Sequence, residues 1–218
     1  MALFGVLGDI HGNREALEAA LAALGARRAR IVCLGNIVGH NADPDECIEL
    51  VRRHCVAAVA GPHDLIALGR RGFDGCSNDA EYALRRTRRE LSGESRAWLA
   101  ALPSSAALEE GITLLPGEIH VIGRSAQPKV HEIGPGEKFS LRREDSYLVR
   151  PGPVDASRKR SDRLAGCALL DSAAGTVEFL SVAYDGAASE AKAAVFGYRI
   201  NPLTDRLYSL RRRISAKF

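Results

Sequence analysis

The stretch LFGVLGDIHGN, residues 3–13, decides the fold. A short apolar run, Leu3–Leu7, stops at Gly8. Asp9, Ile10 and His11 follow, and Asn13 stands as the N-cap of a helix over 14–24 that Gly25 closes. Within that helix Leu17, Ala20, Leu21 and Leu24 recur at helical spacing. The same order of strand, glycine and polar residues returns twice. Ile31–Leu34 runs into Gly35 and Asn36, and Val56–Ala60 runs into Gly61, His63 and Asp64. Between them Asp43-Pro44-Asp45-Glu46 opens a second helix that ends near Arg53, with a cap, a first-turn proline and acids at the positive end of the dipole. Strands alternating with helices predict an α/β fold with a largely parallel sheet. Ligands of such sheets bind at the carboxyl ends of the strands. One sheet edge is thus expected to carry Asp9, His11, Asn36, His63 and Asp64.

Further along, two helices are expected over 79–91 and 95–102, closed by Gly93 and Pro103. The chain then turns to short β-type runs at 112–115, 119–123, 129–133, 147–150, 164–170 and 176–182. Turns at Gly134-Pro135-Gly136, Pro151-Gly152-Pro153 and 173–175 separate several of them. A last helix is expected over 201–214, capped by Asn201, with Leu203, Leu207, Leu210 and Ile214 on one stripe. With 218 residues the simplest organisation is one domain, 1–218, whose two halves pack as two sheets.

Composition excludes several classes. Hydrophobic residues make up 46% and charged residues 26%, which removes disordered and fibrous proteins. Apolar stretches fall well short of the roughly 20 residues of a membrane helix. The start has no basic segment of a leader, and five cysteines form no C-x-x-C pair, so a reducing cytoplasm fits. A net charge of +3 and 6% aromatics offer neither a strong basic field nor a stacking platform, so nucleic acid is not indicated.

Hydrolysis of a phosphoester by two metals needs a bridging carboxylate, further histidine, aspartate and amide ligands, and a histidine beside the leaving group. At this level the chain resembles the calcineurin-like metallophosphoesterases, in particular their small prokaryotic diadenosine-tetraphosphatase-like members. The resemblance rests on GDIHGN (8–13), GNIVGHNADP (35–44), GPHD (61–64), the paired-helix segment 83–103, VIGRSAQPKV (121–130), YLVRPGPV (147–154) and ALLDSAAGTVEF (168–179). It implies a four-layer α/β sandwich of two mixed sheets flanked by helices. It also implies metal-ligand roles for Asp9 and His11 and a proton-donating role for His63, with Asp64 beside it as a second catalytic residue.

Departures from that pattern fall on the same constellation. The bridging aspartate of the family is Asn36 here, a neutral and poor bridge. The asparagine ligand is Pro62, and the two histidines of the last motif are Arg124 and Ala126. Arg124 cannot ligate a metal. It either neutralises Asp9 and binds anions together with His11 and His63, or it has drifted to solvent.

The expectation is a protein with a degenerate dinuclear site, weak or inactive, that binds a phosphate-containing small molecule or a protein partner. The alternative is an active phosphoesterase using one metal on Asp9, His11, Asn36 and His63. No tightly bound cofactor is expected; if there is one, it is a single divalent ion (Mn, Fe, Zn or Mg). Self-association is compatible with the fold. The remaining basic residues read more simply. His40 is a loop histidine, His54 sits at a helix C-terminus, His131 is in an exposed strand, Arg70-Arg71 is in a solvated loop, and Arg211–Arg213 is a solvent face.

Overall fold

The computed structural model describes residues 2–121, 128–132, 137–142, 144–155 and 164–215. Arg124 and Ala126 lie outside the described residues. Elements run in the order β1 (Leu3–Leu7), α1 (Arg14–Ala26), β2 (Arg30–Cys33), α2 (Pro44–His54), β3 (Cys55–Ala58), α3 (Pro62–Ala67), α4 (Asn78–Glu90) and α5 (Gly93–Ala101). Strands β4 (Ala106–Glu109), β5 (Ile112–Leu115), β6 (Glu118–Val121), β7 (Pro128–Glu132), β8 (Lys138–Ser140), β9 (Ser146–Arg150), β10 (Leu164–Asp171) and β11 (Thr176–Ala183) follow. The chain then forms α6 (Gly186–Val195) and α7 (Pro202–Ser215).

Two mixed sheets result, as the motifs implied. The first is ordered β3-β2-β1-β10-β11-β8, with β1, β2 and β3 parallel and the rest antiparallel. The second is ordered β4-β5-β6-β9-β7 and is antiparallel except for β7 beside β9. Alternation along β1 explains the layering. Phe4 and Val6 point into a core between the sheets, with Val32, Ile119, Val149 and Phe179, whereas Leu7 points to the helices with Leu17, Leu24 and Val51. Gly5 lies on that helical side, and a Cβ there would come 3.1 Å from Leu24, so glycine lets α1 settle onto the sheet. Cys33, Cys47 and Cys167 are buried as small apolar residues.

Several expectations need correction. Gly93 does not close a helix; it is the first residue of α5, whose N-cap Ser92 accepts from the Ser95 amide. The third strand stops at Ala58, and Pro62 begins a further short helix, α3, that the sequence reading did not include. Helix α6 and strands β4 and β8 were also missing from it. The tail helix forms with Asn201 capping the Thr204 amide at 2.9 Å, but Leu203, Leu207 and Leu210 are exposed. Arg211 and Arg212 do more than face solvent, since both reach the Glu81 carboxylate, at 3.3 and 3.1 Å. Among the described residues no helix is long and apolar enough to cross a membrane.

Candidate metal centre

The loops after β1 and β2 zip together through their backbones. Amides of Asp9, His11 and Gly12 donate to carbonyls of Gly35, Asn36 and Ile37, and the Asn41 amide returns a bond to His11. Gly35, at φ +84°, packs directly on the backbone of Gly61; a Cβ on it would lie 2.4 Å from the Gly61 nitrogen. Only glycine permits this approach, and it brings the end of β3 against the end of β2.

The backbone strain at this edge is concentrated on three residues. Asp9, His11 and Asn36 all have φ of 52–53°, in the left-handed region. Left-handed backbone in non-glycine residues costs of order 1–3 kcal/mol each, is held by its surroundings, and clusters at functional sites. The neighbouring supports are visible. Asn13 accepts from the Ala16 amide as the cap of α1 and donates to Asp155 Oδ1 at 2.8 Å. Asn41 donates to Asp155 Oδ2 at 3.0 Å, and the Asp155 amide donates to the Asp9 carbonyl at 2.9 Å.

At the centre Asn36 is bonded at both ends. Its Nδ2 donates to Asp9 Oδ1 at 2.8 Å, and its Oδ1 accepts from the His63 amide at 2.9 Å. Reversing the amide would set donor against donor and oxygen against carboxylate, so its orientation is fixed by its partners. His11 Nε2 lies 3.9 Å from the same Asp9 oxygen. Burial, reinforced by the nearby His11 and Arg71, drives the His63 pKa down to about 3, so that its ring is neutral.

Asp64 does not share the site with His63. It is fully buried, and Oδ1 accepts from the amides of Ile37 and Val38 at 2.8 and 3.1 Å while Oδ2 accepts from Gly61 at 2.8 Å. Burial raises its pKa to about 6 against the pull of those three amides. Its three backbone partners give it a positioning role for the two loops, where the sequence suggested a catalytic one.

His40 needs the opposite correction. Its ring centroid lies 4.9 Å from that of His11 and 5.2 Å from that of His63, inside the site. His54 is exposed at the end of α2, and His120 lies within β6. His131 is in β7.

Residues beyond the histidine-bearing loops complete the surroundings. Arg199 donates to the His40 carbonyl and to Asn41 Oδ1 at 2.8 and 2.9 Å, and Lys192 bridges Asp43 and Glu15 at 2.7 and 2.6 Å. Arg150 lines a cavity of about 300 Å³ that opens beside Asp9, with Gly117, Pro151 and Pro153.

This fold and this cluster at the strand ends are those of a phosphoesterase scaffold. The model of the calcineurin-like phosphoesterases matches residues 2–157, and the chain belongs to that family. It is 29% identical over 219 residues to an uncharacterized protein of Methanocaldococcus jannaschii, covering 84% of this chain and 88% of the relative. Its fold is similar to that of a metallophosphoesterase from Sphaerobacter thermophilus, with a TM-score of 0.72 at 23% identity, covering 94% of this chain and 97% of the other. A hypothetical protein from Pyrococcus horikoshii gives a TM-score of 0.65 at 21% identity, covering 95% and 97%.

Proposed function

We propose that this calcineurin-like phosphoesterase domain acts by binding, with a degenerate dinuclear centre and little or no hydrolysis. The observation that carries this reading is the Asn36 amide. Where the family pattern places a bridging carboxylate, a neutral group turns its hydrogen-bearing nitrogen to Asp9 and gives its oxygen to the His63 amide. A donor nitrogen cannot ligate a cation, and the Pro62 side chain has no donor atom. The donor set therefore does not fit a pair of divalent ions, whose mutual repulsion needs a shared anionic bridge.

The ligand best matched to the surroundings is a phosphate-containing small molecule. A cavity of about 300 Å³ with Arg150 on its wall is at the lower end of small-molecule sites. Arg124, from the last motif, is the second guanidinium we assign to the anion, beside His11 and His63. The competing occupant, a protein partner, predicts no effect of phosphate compounds on stability.

The test is elemental analysis of the purified full chain, paired with hydrolysis of a generic phosphodiester and phosphomonoester in Mn²⁺, Mg²⁺ or Ni²⁺. We expect fewer than two ions per chain and rates near background. A well-tuned general acid offers at most about 10²–10⁴-fold, and the neutral His63 ring offers less than that. The second reading, a hydrolase with one metal on Asp9, His11, Asn36 and His63, draws on the intact scaffold and the survival of His63. A turnover of about 1 s⁻¹ that disappears in His63→Ala would establish it instead.

A further inference from the structure

The loop after β2 carries an imidazole that the family pattern does not employ. The rings of His11, His40 and His63 pack together, the closest pair, His11 and His63, with centroids 4.5 Å apart. One ring nitrogen from each of the three lies within 4.8 Å of the other two. The Nδ1 atoms of His11 and His63 are buried and have no hydrogen-bond partner. A buried polar atom left unpaired costs about 1–3 kcal/mol, so two on neighbouring rings need an explanation.

Both of these nitrogens point to the same place. Gly39, at φ +150°, lies beneath them, and a Cβ there would come 2.8 Å from His63 Nδ1 and 3.1 Å from His11 Nδ1. Glycine keeps that space clear. The loop is fixed on both sides of it: the Gly39 carbonyl accepts from Thr87 at 3.2 Å and the His40 carbonyl from Arg199 at 2.8 Å. Asp9 Oδ1 lies 3.9 Å from His11 Nε2, the ring nitrogen opposite the unpaired Nδ1.

We infer that His11, His40 and His63 form a mononuclear site for a transition-metal ion of the Zn²⁺, Co²⁺ and Ni²⁺ class. This goes beyond the loss of the two-metal centre and does not depend on it. The ligand set contains no carboxylate and does not include Asn36. Imidazole suits these ions, whereas Mn²⁺ and Mg²⁺ prefer oxygen donors. Zn–N bonds of about 2.0–2.1 Å in a tetrahedron ask for nitrogens about 3.4 Å apart. The three nitrogens, within 4.8 Å of one another, would close to that spacing on binding the ion. Three protein ligands leave a position open for water or an anion.

The full chain, stripped with a chelator, is titrated with Co²⁺ by visible absorption and with Zn²⁺ by calorimetry. One ion per chain is expected, with tetrahedral Co²⁺ bands and weaker binding of Mn²⁺. His40→Gln should weaken Zn²⁺ binding by more than about 10–100-fold, the loss typical of merely supporting residues. If that variant does not fold, X-ray absorption of the Zn²⁺-loaded parent decides, with three imidazoles expected.

Absence of Co²⁺ and Zn²⁺ binding overturns this site and leaves the reading of a lost two-metal centre intact. One ion bound equally well by His40→Gln, or fewer than three imidazoles around zinc, overturns it in favour of a site on Asp9, His11 and Asn36. Two ions per chain overturn both.

Discussion

Restoring a carboxylate at position 36 isolates the contribution of the Asn36 amide. In the parent a neutral donor meets Asp9 Oδ1 at 2.8 Å. Asn36→Asp sets oxygen against oxygen at that separation, on a backbone (φ 53°) that aspartate tolerates as well as asparagine does. Two unit charges about 4 Å apart repel by about 4 kcal/mol at an effective dielectric of 20. The lost hydrogen bond to a charged group adds about 1.5–3 kcal/mol. Two effects reduce the total. The Asp9 side chain is 37% exposed, so water screens part of the repulsion. One carboxyl can also keep a proton, at about 1.4 kcal/mol per pH unit above its ordinary pKa near 4. A net cost of about 3 kcal/mol at pH 7.5 follows, or a fall in Tm of about 6–12 °C for a chain of this size.

The sign of the pH dependence is fixed. The pair's upper pKa is raised in the folded state, so the penalty is present at neutral pH and fades as the pH falls toward 5. Millimolar Mn²⁺ should restore the melting temperature of Asn36→Asp by binding only the folded form, with little effect on the parent. The assay is a set of thermal melts at pH 5 and 7.5, each with and without Mn²⁺. Equal Tm values for variant and parent at pH 7.5 without metal would refute the reasoning. So would an equal Mn²⁺-induced rise in the parent.

Asp64→Ala strands three buried amides, those of Ile37, Val38 and Gly61, and should lower the urea midpoint by about 1 M or more; an unchanged midpoint means that water replaces the carboxylate. Glu81 is buried, which disfavours its charge, yet hydrogen bonds from Arg85 and Arg212 outweigh that and hold its pKa below the usual range. It therefore stabilises the fold above about pH 4.5 and loses that effect on further acidification. The gap in Tm between parent and Glu81→Gln should narrow from pH 7 to pH 3, and a constant gap removes the charge from the explanation. The Asp9 side chain is 37% exposed, so Arg124→Ala should destabilise by about 1 kcal/mol or less if the guanidinium is paired with it, and adding Asp9→Asn should recover much of that. Phosphate should raise the Tm of the parent more than that of Arg124→Ala; equal protection places Arg124 on the surface.

Much of the first sheet was legible because each parallel strand stops at a glycine and delivers its polar residues at once. The identity of those residues was visible as well, and Asp9, His11, Asn36 and His63 do converge. What each does was less accessible. Asp64 follows His63 directly, but consecutive residues on a helix do not face the same way: the His63 ring packs on His11 and His40, whereas Asp64 turns to the amides of Ile37, Val38 and Gly61. His40 lies in a glycine-rich loop with no local pattern to mark it. Only the closing of the loops after β1 and β2 brings its ring to the other two.

Helix α6 carries only one local signal in the sequence. Asp185 caps the Ala188 amide at 2.9 Å, but the alanine-rich segment behind it has little apolar periodicity. The tail helix shows the converse. Leu203, Leu207 and Leu210 recur at helical spacing and do predict a helix, yet periodicity does not say whether a stripe is covered, and these residues are exposed.

The pairing of β1 with β10 has a consequence for the order of events during synthesis. Leu3 sits opposite Asp171 and Val6 opposite Ala168, and the amides of Val154 and Asp155 close onto Gly8 and Asp9. The first strand made thus waits for one of the last. At about 5–20 residues per second, the ribosome needs on the order of 10–30 s to deliver β10 after β1 has emerged. Until then β1 can pair only with β2, and its other edge, a row of backbone amides and carbonyls that later pairs with β10, is bare. Such an edge invites pairing with other chains. The nascent protein is therefore most exposed to aggregation, and most in need of a chaperone, before residue 164 leaves the exit tunnel. A chain cut short of β10 should accumulate as insoluble material even though it retains every histidine of the site.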